Sequence, residues 1–209
     1  MDAELERKLR ELVDKQEIRE VVLLYARAQE RRDGALFASV FHPDAIYEHY
    51  EMPPYLIDGD LDGFVAFVEK AWAASPLKSK GLHVPDTLTE VDGDEAFAES
   101  HALSLNPVDQ EGVRHDYLRT LRFLDRFERR DGVWKIAHRL VLSGGYERWV
   151  AASPPPFAGA ASPELRSGFY PDDPFYGIRE RLRPGSVAQR TTEEQPFYLR
   201  DADVAEAGR

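Results

Sequence analysis

Leu5, Leu9, Leu12, Val13, Ile18, Val21, Val22, Tyr25 and Ala28 recur at steps of three and four along residues 3–32, with charges between them. That period predicts a long helix with one apolar face. Neither Pro nor Gly interrupts it, and Asp33-Gly34 stops it. Leu36, Phe37, Val40 and Phe41 predict a second, short helix ended by His42-Pro43. Ala45-Ile46-Tyr47-Glu48-His49-Tyr50 reads as a short strand, and Pro53-Pro54 as a break. Leu61 to Ala74 predicts a third helix, with Phe64, Val65, Phe67, Val68 and Trp72 on its apolar side.

From Lys80 the period changes. Leu82–Val91 and Glu95–Leu105 flank Asp92-Gly93, a hairpin signal. Val113–Arg129 is a long strand candidate, and Arg130-Asp131-Gly132 turns it into Val133–Leu142. Gly144-Gly145 reads as a turn or bulge. Helices first and antiparallel hairpins after them predict an α+β fold with the helices on one face of a curved sheet. After about Val150 the pattern dissolves. Eight of the 14 prolines fall there, against six in the first 150 residues. Phe157, Phe169, Tyr170, Phe175, Tyr176, Phe197 and Tyr198 are costly to leave in water. Residues 151–209 are therefore read as an extended arm that packs its aromatics on the domain of residues 1–150 or on a neighbouring subunit. The alternative is a loose extension with incidental aromatics.

At 209 residues, with 43% hydrophobic content, the chain can bury a sizeable core. Its net charge of −11 argues against nucleic acid and anionic membranes as partners. Without Cys there is no disulfide, thiolate metal site or cysteine nucleophile. The charged start Met1-Asp2-Ala3-Glu4-Leu5-Glu6 lacks an apolar signal core, and no apolar run reaches transmembrane length. These features fit a cytoplasmic protein. No His-Glu-x-x-His, clustered carboxylate–histidine set or Gly-rich phosphate loop is present, so neither metal nor cofactor is expected.

Three stretches carry a family likeness. One is Tyr25-Ala-Arg-Ala-Gln-Glu30-Arg-Arg-Asp33 followed by Phe41-His-Pro-Asp44-Ala45. The second is Gly81-Leu82-His83. The third is Phe127-Glu-Arg-Arg-Asp-Gly132-Val-Trp134-Lys-Ile-Ala-His-Arg139. In order and spacing, over about residues 5–145, they resemble the SnoaL-like branch of the nuclear transport factor 2-like superfamily. The resemblance implies a cone-shaped, curved antiparallel sheet wrapped around a long N-terminal helix and two shorter helices, enclosing a pocket. Within the superfamily the chain is most similar to the lyases scytalone dehydratase, hexachlorocyclohexane dehydrochlorinase and bile acid 7α-dehydratase, which use an Asp–His dyad. By that likeness Glu30 falls at the Asp position and His83 at the His position. Tyr25 and Tyr47 match pocket aromatics, and Arg139 matches a pocket arginine. Glu for Asp at position 30 is the departure, and a positioning error of ~1 Å can cost ~10²-fold in rate.

The chemistry follows from the residue types. A neutral imidazole is a good base near pH 7. A carboxylate accepting its other N–H fixes the tautomer and stabilises the imidazolium once formed. His83 would take a proton from an acidic C–H, Glu30 would orient it, and Tyr47, Tyr25 or Arg139 would donate to the developing oxyanion or leaving oxygen. His101 is a candidate second donor in the pocket, and His115 could also reach it. Each residue has a plainer reading. Glu30, among Arg27, Arg31, Arg32 and Asp33, could lie on a solvated helix end. His83, two residues before Pro85, could sit at an irregular strand start. Tyr47 could be core, Arg139 an exposed neighbour of Lys135, and His101 a half-exposed sheet residue.

The leading expectation is a cofactor-independent dehydratase-like lyase acting on a cyclic, largely apolar small molecule. An isomerase or polyketide cyclase, a non-catalytic small-molecule-binding or accessory protein, and an oligomerisation module are the alternatives. The resemblance also implies a homo-oligomer, trimer or dimer.

Overall fold

The computed structural model describes residues 2–49, 57–75, 77, 80–110, 112–151, 169–173, 175–176 and 178–179. The chain divides into two compact units, Met1–Ala152 and Ser153–Arg209. In the first, the order is α1 (Ala3–Arg31), α2 (Gly34–Ser39), β1 (Phe41–His49), β2 (Ile57–Asp58), α3 (Leu61–Ala74), β3 (Gly81–Asp92), β4 (Glu95–Gln110), β5 (Val113–Arg130) and β6 (Val133–Ala151). The six strands form one sheet in the order β2-β1-β6-β5-β4-β3.

Local chemistry sets the helix ends. Asp2 accepts the Glu4 N–H at 3.2 Å to start α1, and Asp33 accepts from Leu36 at 2.9 Å to start α2. Asp60 does the same for Gly63 at 2.9 Å in α3. Each carboxylate satisfies an N–H that the first helical turn leaves open. Arg32, in the left-handed conformation at φ 55°, ends α1. Its guanidinium donates to the Trp72 and Leu77 carbonyls at 2.6 and 3.1 Å. One residue thus closes α1 and ties it to the end of α3, where cationic charge suits exposed carbonyls.

The apolar stripe of α1 is only half used. Ile18, Val22, Tyr25, Ala26 and Ala28 are buried, whereas Leu5, Leu9, Leu12 and Val13 are exposed. Burial starts at Asp14, which accepts from Trp134 Nε1 at 3.0 Å and Arg129 Nη1 at 2.6 Å. The core joins this half of α1 to Phe37, Phe41, Phe64 and the concave side of the sheet. On β4 the concave positions are Ala96, Ala98, Ser100, Ala102, Ser104 and Asn106, all buried and mostly small.

Three strand details differ from the sequence pattern. First, β1 begins at Phe41, before Pro43, and pairs parallel to β6, with its register broken between Phe41 and Ile46. The Ile136 N–H donates to the Val40 carbonyl at 3.0 Å, anchoring the strand start ahead of the proline. Second, β6 runs nine residues past Leu142, through Gly144-Gly145. Between the pairs Arg119↔Glu147 and Leu121↔Ser143, β6 carries extra residues, so the glycines make a bulge inside a strand. Third, β6 bulges again at Ala137, between Arg126↔His138 and Phe127↔Ile136. Trp134 and Ile136 face the core before this bulge, Arg139 and Val141 after it. One extra residue changes the parity of a period-two strand.

In the second unit, Phe169 to Asp173 forms a turn closed by Asp173 N–H to the Phe169 carbonyl at 2.8 Å. Tyr170, Phe175 and Tyr176 pack edge to face with ring centroids 5.2 and 5.3 Å apart. Phe157, Phe197 and Tyr198, on which much of the expected arm rests, lie outside the described residues.

Candidate active site

The parity change at Ala137 drives a cation into the core. Arg139 is fully buried and forks onto Asp125 of β5, Nε to Oδ1 at 2.7 Å and Nη2 to Oδ2 at 2.6 Å. Asp125 is also fully buried, within the inward-facing series Leu121, Phe123, Asp125 and Phe127. The guanidinium carbon lies 3.9 Å from the Tyr25 ring centroid and 4.6 Å from that of Phe123. Two aromatic faces and a bidentate carboxylate offset the cost of burying the charge. Burial opposes that charge, but Asp125 outweighs it and holds Arg139 above its ordinary range. Arg139 Nη1 remains buried with no partner among the described residues. An unmet polar group on a buried cation is costly and calls for an explanation.

Above this pair the hydroxyls of Tyr25 and Tyr47 lie 2.9 Å apart. Both residues are buried. Burial, reinforced by the neighbouring Tyr25, pushes the Tyr47 hydroxyl well above its ordinary pKa, so it keeps its proton. Gln29, one turn from Tyr25, donates Nε2 to the Tyr25 oxygen at 3.2 Å and accepts from Lys80 Nζ at 2.9 Å. A polar chain therefore runs from Lys80 through Gln29 and Tyr25 to Tyr47, beside a buried cation.

Tyr25, Tyr47 and Arg139, expected as substrate-binding residues, are thus brought together. Glu30 and His83 are not. Glu30, half-buried, accepts the Leu82 N–H at 2.9 Å. It reaches the strand one residue short of the histidine. Leu82 and Val84 are buried and His83 between them is exposed, because alternate strand residues face opposite sides. The His83 ring shares the convex side with Gly81, whose added Cβ would lie 3.5 Å from Nε2. A bulge between His83 and Asp86 puts an extra residue in β3, at Val84-Pro85.

His101 also lies on the convex side, not in the interior expected for a pocket donor. It is exposed, its Nδ1 is 3.0 Å from Asp86 Oδ1, and it lines an outer groove of about 600 Å³ with Thr120, Arg122 and Gly144. Residues 97, 99, 101 and 103 do share one face, but β4 turns its even-numbered residues inward. His115 contacts the Val113 carbonyl at 3.2 Å and the edge of Trp149, and is half-exposed. His138 pairs with Glu48 at 2.6 Å across the β1–β6 ladder. Among the described residues, no group of three or more His, Asp or Glu is arranged to hold a metal ion.

Asp125, Gln29 and Lys80 also stand in the candidate site, although no sequence motif points to them. Asp125 had a signal, a lone carboxylate in the inward phase of a period-two apolar strand. Gln29 stands four residues after Tyr25, on the same helix face. Lys80 had none.

This arrangement of a long helix, two shorter ones and a curved sheet with a polar cluster on its concave side defines a fold class, and the comparisons agree. The SnoaL-like domain model matches residues 10–140, and the chain belongs to that family. Its fold is that of the nuclear transport factor 2-like proteins. Among solved structures, a hexachlorocyclohexane dehydrochlorinase from Novosphingobium barchaimii is similar at 18% identity and a TM-score of 0.60, covering 71% of this chain and 99% of that one. A nuclear transport factor 2-like protein with a cystatin-like fold from Novosphingobium aromaticivorans is similar at 19% identity and a TM-score of 0.57, covering 69% and 91%. A protein provisionally assigned as a scytalone dehydratase, from the same organism, is similar at 16% identity and a TM-score of 0.57, also covering 69% and 91%. No curated protein matches the chain. No described helix is long and apolar enough to cross a membrane.

Proposed function

We propose that this chain is a cofactor-independent lyase, a dehydratase or related β-elimination catalyst acting on a cyclic, largely apolar small molecule. The observation that carries the reading is the buried Asp125–Arg139–Tyr25–Tyr47 cluster, with one guanidinium N–H unpartnered among the described residues and a hydroxyl held protonated. Fixed donors in a water-poor core stabilise negative charge that develops on a substrate oxygen. A base takes the α-proton, the electron pair moves into an enolate held by Tyr47 and Arg139, and its collapse expels a leaving group from the β-carbon. An isomerase or polyketide cyclase needs the same base and donors and differs only in where the electrons go. The structurally similar dehydrochlorinase and dehydratase are consistent with this chemistry.

His83 is the proposed base and Glu30 its orienting carboxylate. Glu30 already contacts the residue next to His83. The bulge between His83 and Asp86 gives β3 a point where a one-residue shift exchanges its faces, which would turn the imidazole inward. The exposed His83 of the present geometry favours the second reading, a non-catalytic small-molecule-binding protein.

The two readings separate in D2O. The protein is incubated with cyclic ketones bearing β-hydroxyl or β-chloro groups, with elimination and α-deuterium incorporation followed by mass spectrometry. The lyase reading expects turnover that falls on the order of 10²-fold or more in His83→Ala and Glu30→Gln. Turnover unchanged in both variants would remove the dyad from the mechanism. Tight ligand binding with neither elimination nor exchange would leave the binding protein.

A further inference from the structure

Lys80 is a donor only, since an ammonium has three N–H groups and no lone pair. At 2.9 Å from Gln29 it faces the amide oxygen, which assigns the amide: Oε1 toward Lys80, Nε2 toward Tyr25. The Tyr25 oxygen therefore accepts. Its own O–H is then free to donate to Tyr47, 2.9 Å away. The alternative, Tyr47 donating to a Tyr25 oxygen that already accepts from Gln29, asks one phenol oxygen to take two hydrogen bonds and the other none.

The charge nearby favours the first arrangement. The Arg139 guanidinium lies over the Tyr25 ring, 3.9 Å from its centroid, and draws electron density from the phenol, which strengthens it as a hydrogen-bond donor. Successive hydrogen bonds in one direction also polarise and strengthen each other. The chain Lys80 → Gln29 → Tyr25 → Tyr47 thus has a direction. At its end the Tyr47 O–H is left over, since Tyr25 is its hydroxyl's hydrogen-bond partner among the described residues.

We infer that Lys80 and Gln29 are positioning residues that set the direction of the Tyr25–Tyr47 hydrogen bond, leaving the Tyr47 O–H as the terminal donor for an acceptor oxygen of the bound molecule. Neither residue needs to touch that molecule. This rests on the proposed role of Tyr47 as a donor but goes beyond it, because it says which of two hydroxyls donates and what decides it.

Gln29→Glu is the sharpest variant. A carboxylate has the shape of the amide and still accepts from Lys80, but it also accepts from Tyr25 and so reverses the tyrosine pair. Lys80→Met frees the amide to flip, with the same consequence. Lys80→Arg keeps a donor-only head and restores the wild-type direction. The readout is the ring Cζ resonance of tyrosines labelled at that carbon in the full-length protein, assigned with Tyr25→Phe and Tyr47→Phe. Donating an O–H moves Cζ toward the phenolate position and accepting moves it away. The Tyr25 and Tyr47 resonances are expected to move in Gln29→Glu and Lys80→Met, and to return in Lys80→Arg. Lys70→Met, on the exposed side of α3, should move neither. Unmoved resonances in Gln29→Glu and Lys80→Met, with wild-type circular dichroism, overturn the inference whatever the activity. Should Gln29→Glu fail to fold, the Lys80 variants decide alone.

The same variants assayed on the β-substituted ketones address the function separately. A loss of kcat on the order of 10²-fold with KM held supports Tyr47 as the donor to the developing oxyanion. Shifted resonances with unchanged turnover would leave the direction standing and remove Tyr47 from the chemistry.

Discussion

The Asp125–Arg139 pair makes a prediction in which the two partners must behave differently. Both side chains are fully buried and joined by two hydrogen bonds of 2.7 and 2.6 Å. Asp125→Asn keeps the shape and removes the charge, leaving a guanidinium that cannot shed its proton. Breaking one side of such a pair costs about 3–5 kcal/mol. At about 2–4 °C per kcal/mol for a chain of this size, the melting temperature should fall by about 6–20 °C. Arg139→Met leaves the opposite problem, but a bare buried carboxyl can take up a proton. Its folded pKa then lies above the unfolded value, so Arg139→Met recovers stability as pH falls through that raised pKa, whereas Asp125→Asn does not. The double change Asp125→Leu with Arg139→Met should be close to neutral, because the desolvation cost disappears with the attraction. Urea denaturation followed by tryptophan fluorescence, at pH 7 and pH 5, measures all four proteins. A cost below about 1 kcal/mol for Asp125→Asn, or single variants with the same pH dependence, would refute the argument.

Arg130 donates to Asp44 at 2.7 Å and to Glu128 at 2.8 and 2.6 Å, and these bonds hold both carboxyls below their ordinary values of 3.8 and 4.5. Depressed folded values mean stability that is complete above the unfolded pKa values and lost as pH falls through the folded ones. Arg130→Met is expected to flatten the acid limb of a melting-temperature profile below about pH 5, an effect that salt reduces because the pairs are exposed; superimposable profiles would count against it. Truncation after Val150 is expected to change the mass seen by light scattering if residues 151–209 support a homo-oligomer, and unchanged mass and melting would remove them from assembly.

Much of the fold could be read from the sequence because it rests on local signals. The spacing from Leu5 to Ala28 and the Asp33-Gly34 stop fix α1 to within a residue of its observed end. Asp92-Gly93 and Asp131-Gly132 mark two hairpins whose glycines take positive φ, where other residues are strained. Tyr25, Tyr47 and Arg139 were reached by family likeness, and their meeting depends on contacts that span the chain. Asp125 and Arg139 are 14 residues apart, Tyr25 and Tyr47 are 22 apart, and Gln29 and Lys80 are 51 apart. The faces of single strand residues were the least legible. Nothing near Ala137 announces a bulge, yet that residue turns Arg139 from a neighbour of Lys135 into a buried cation. In the same way β4 turns even positions inward and carries His101 outside, and β3 does so with His83.

Alone, the sequence determined where helices and strands begin, because propensity, capping and turn chemistry act over a few residues. It also supplied a charged side chain for each half of the Asp125–Arg139 pair. Which side of the sheet each residue faces was decided only by the tertiary structure. Strand parity is set by pairing partners and bulges far away in the chain, and a shift of one residue exchanges interior for solvent. Around Arg139 the register of β5 against β6 and the packing of α1 bring a cation, a carboxylate and two phenols together in the interior.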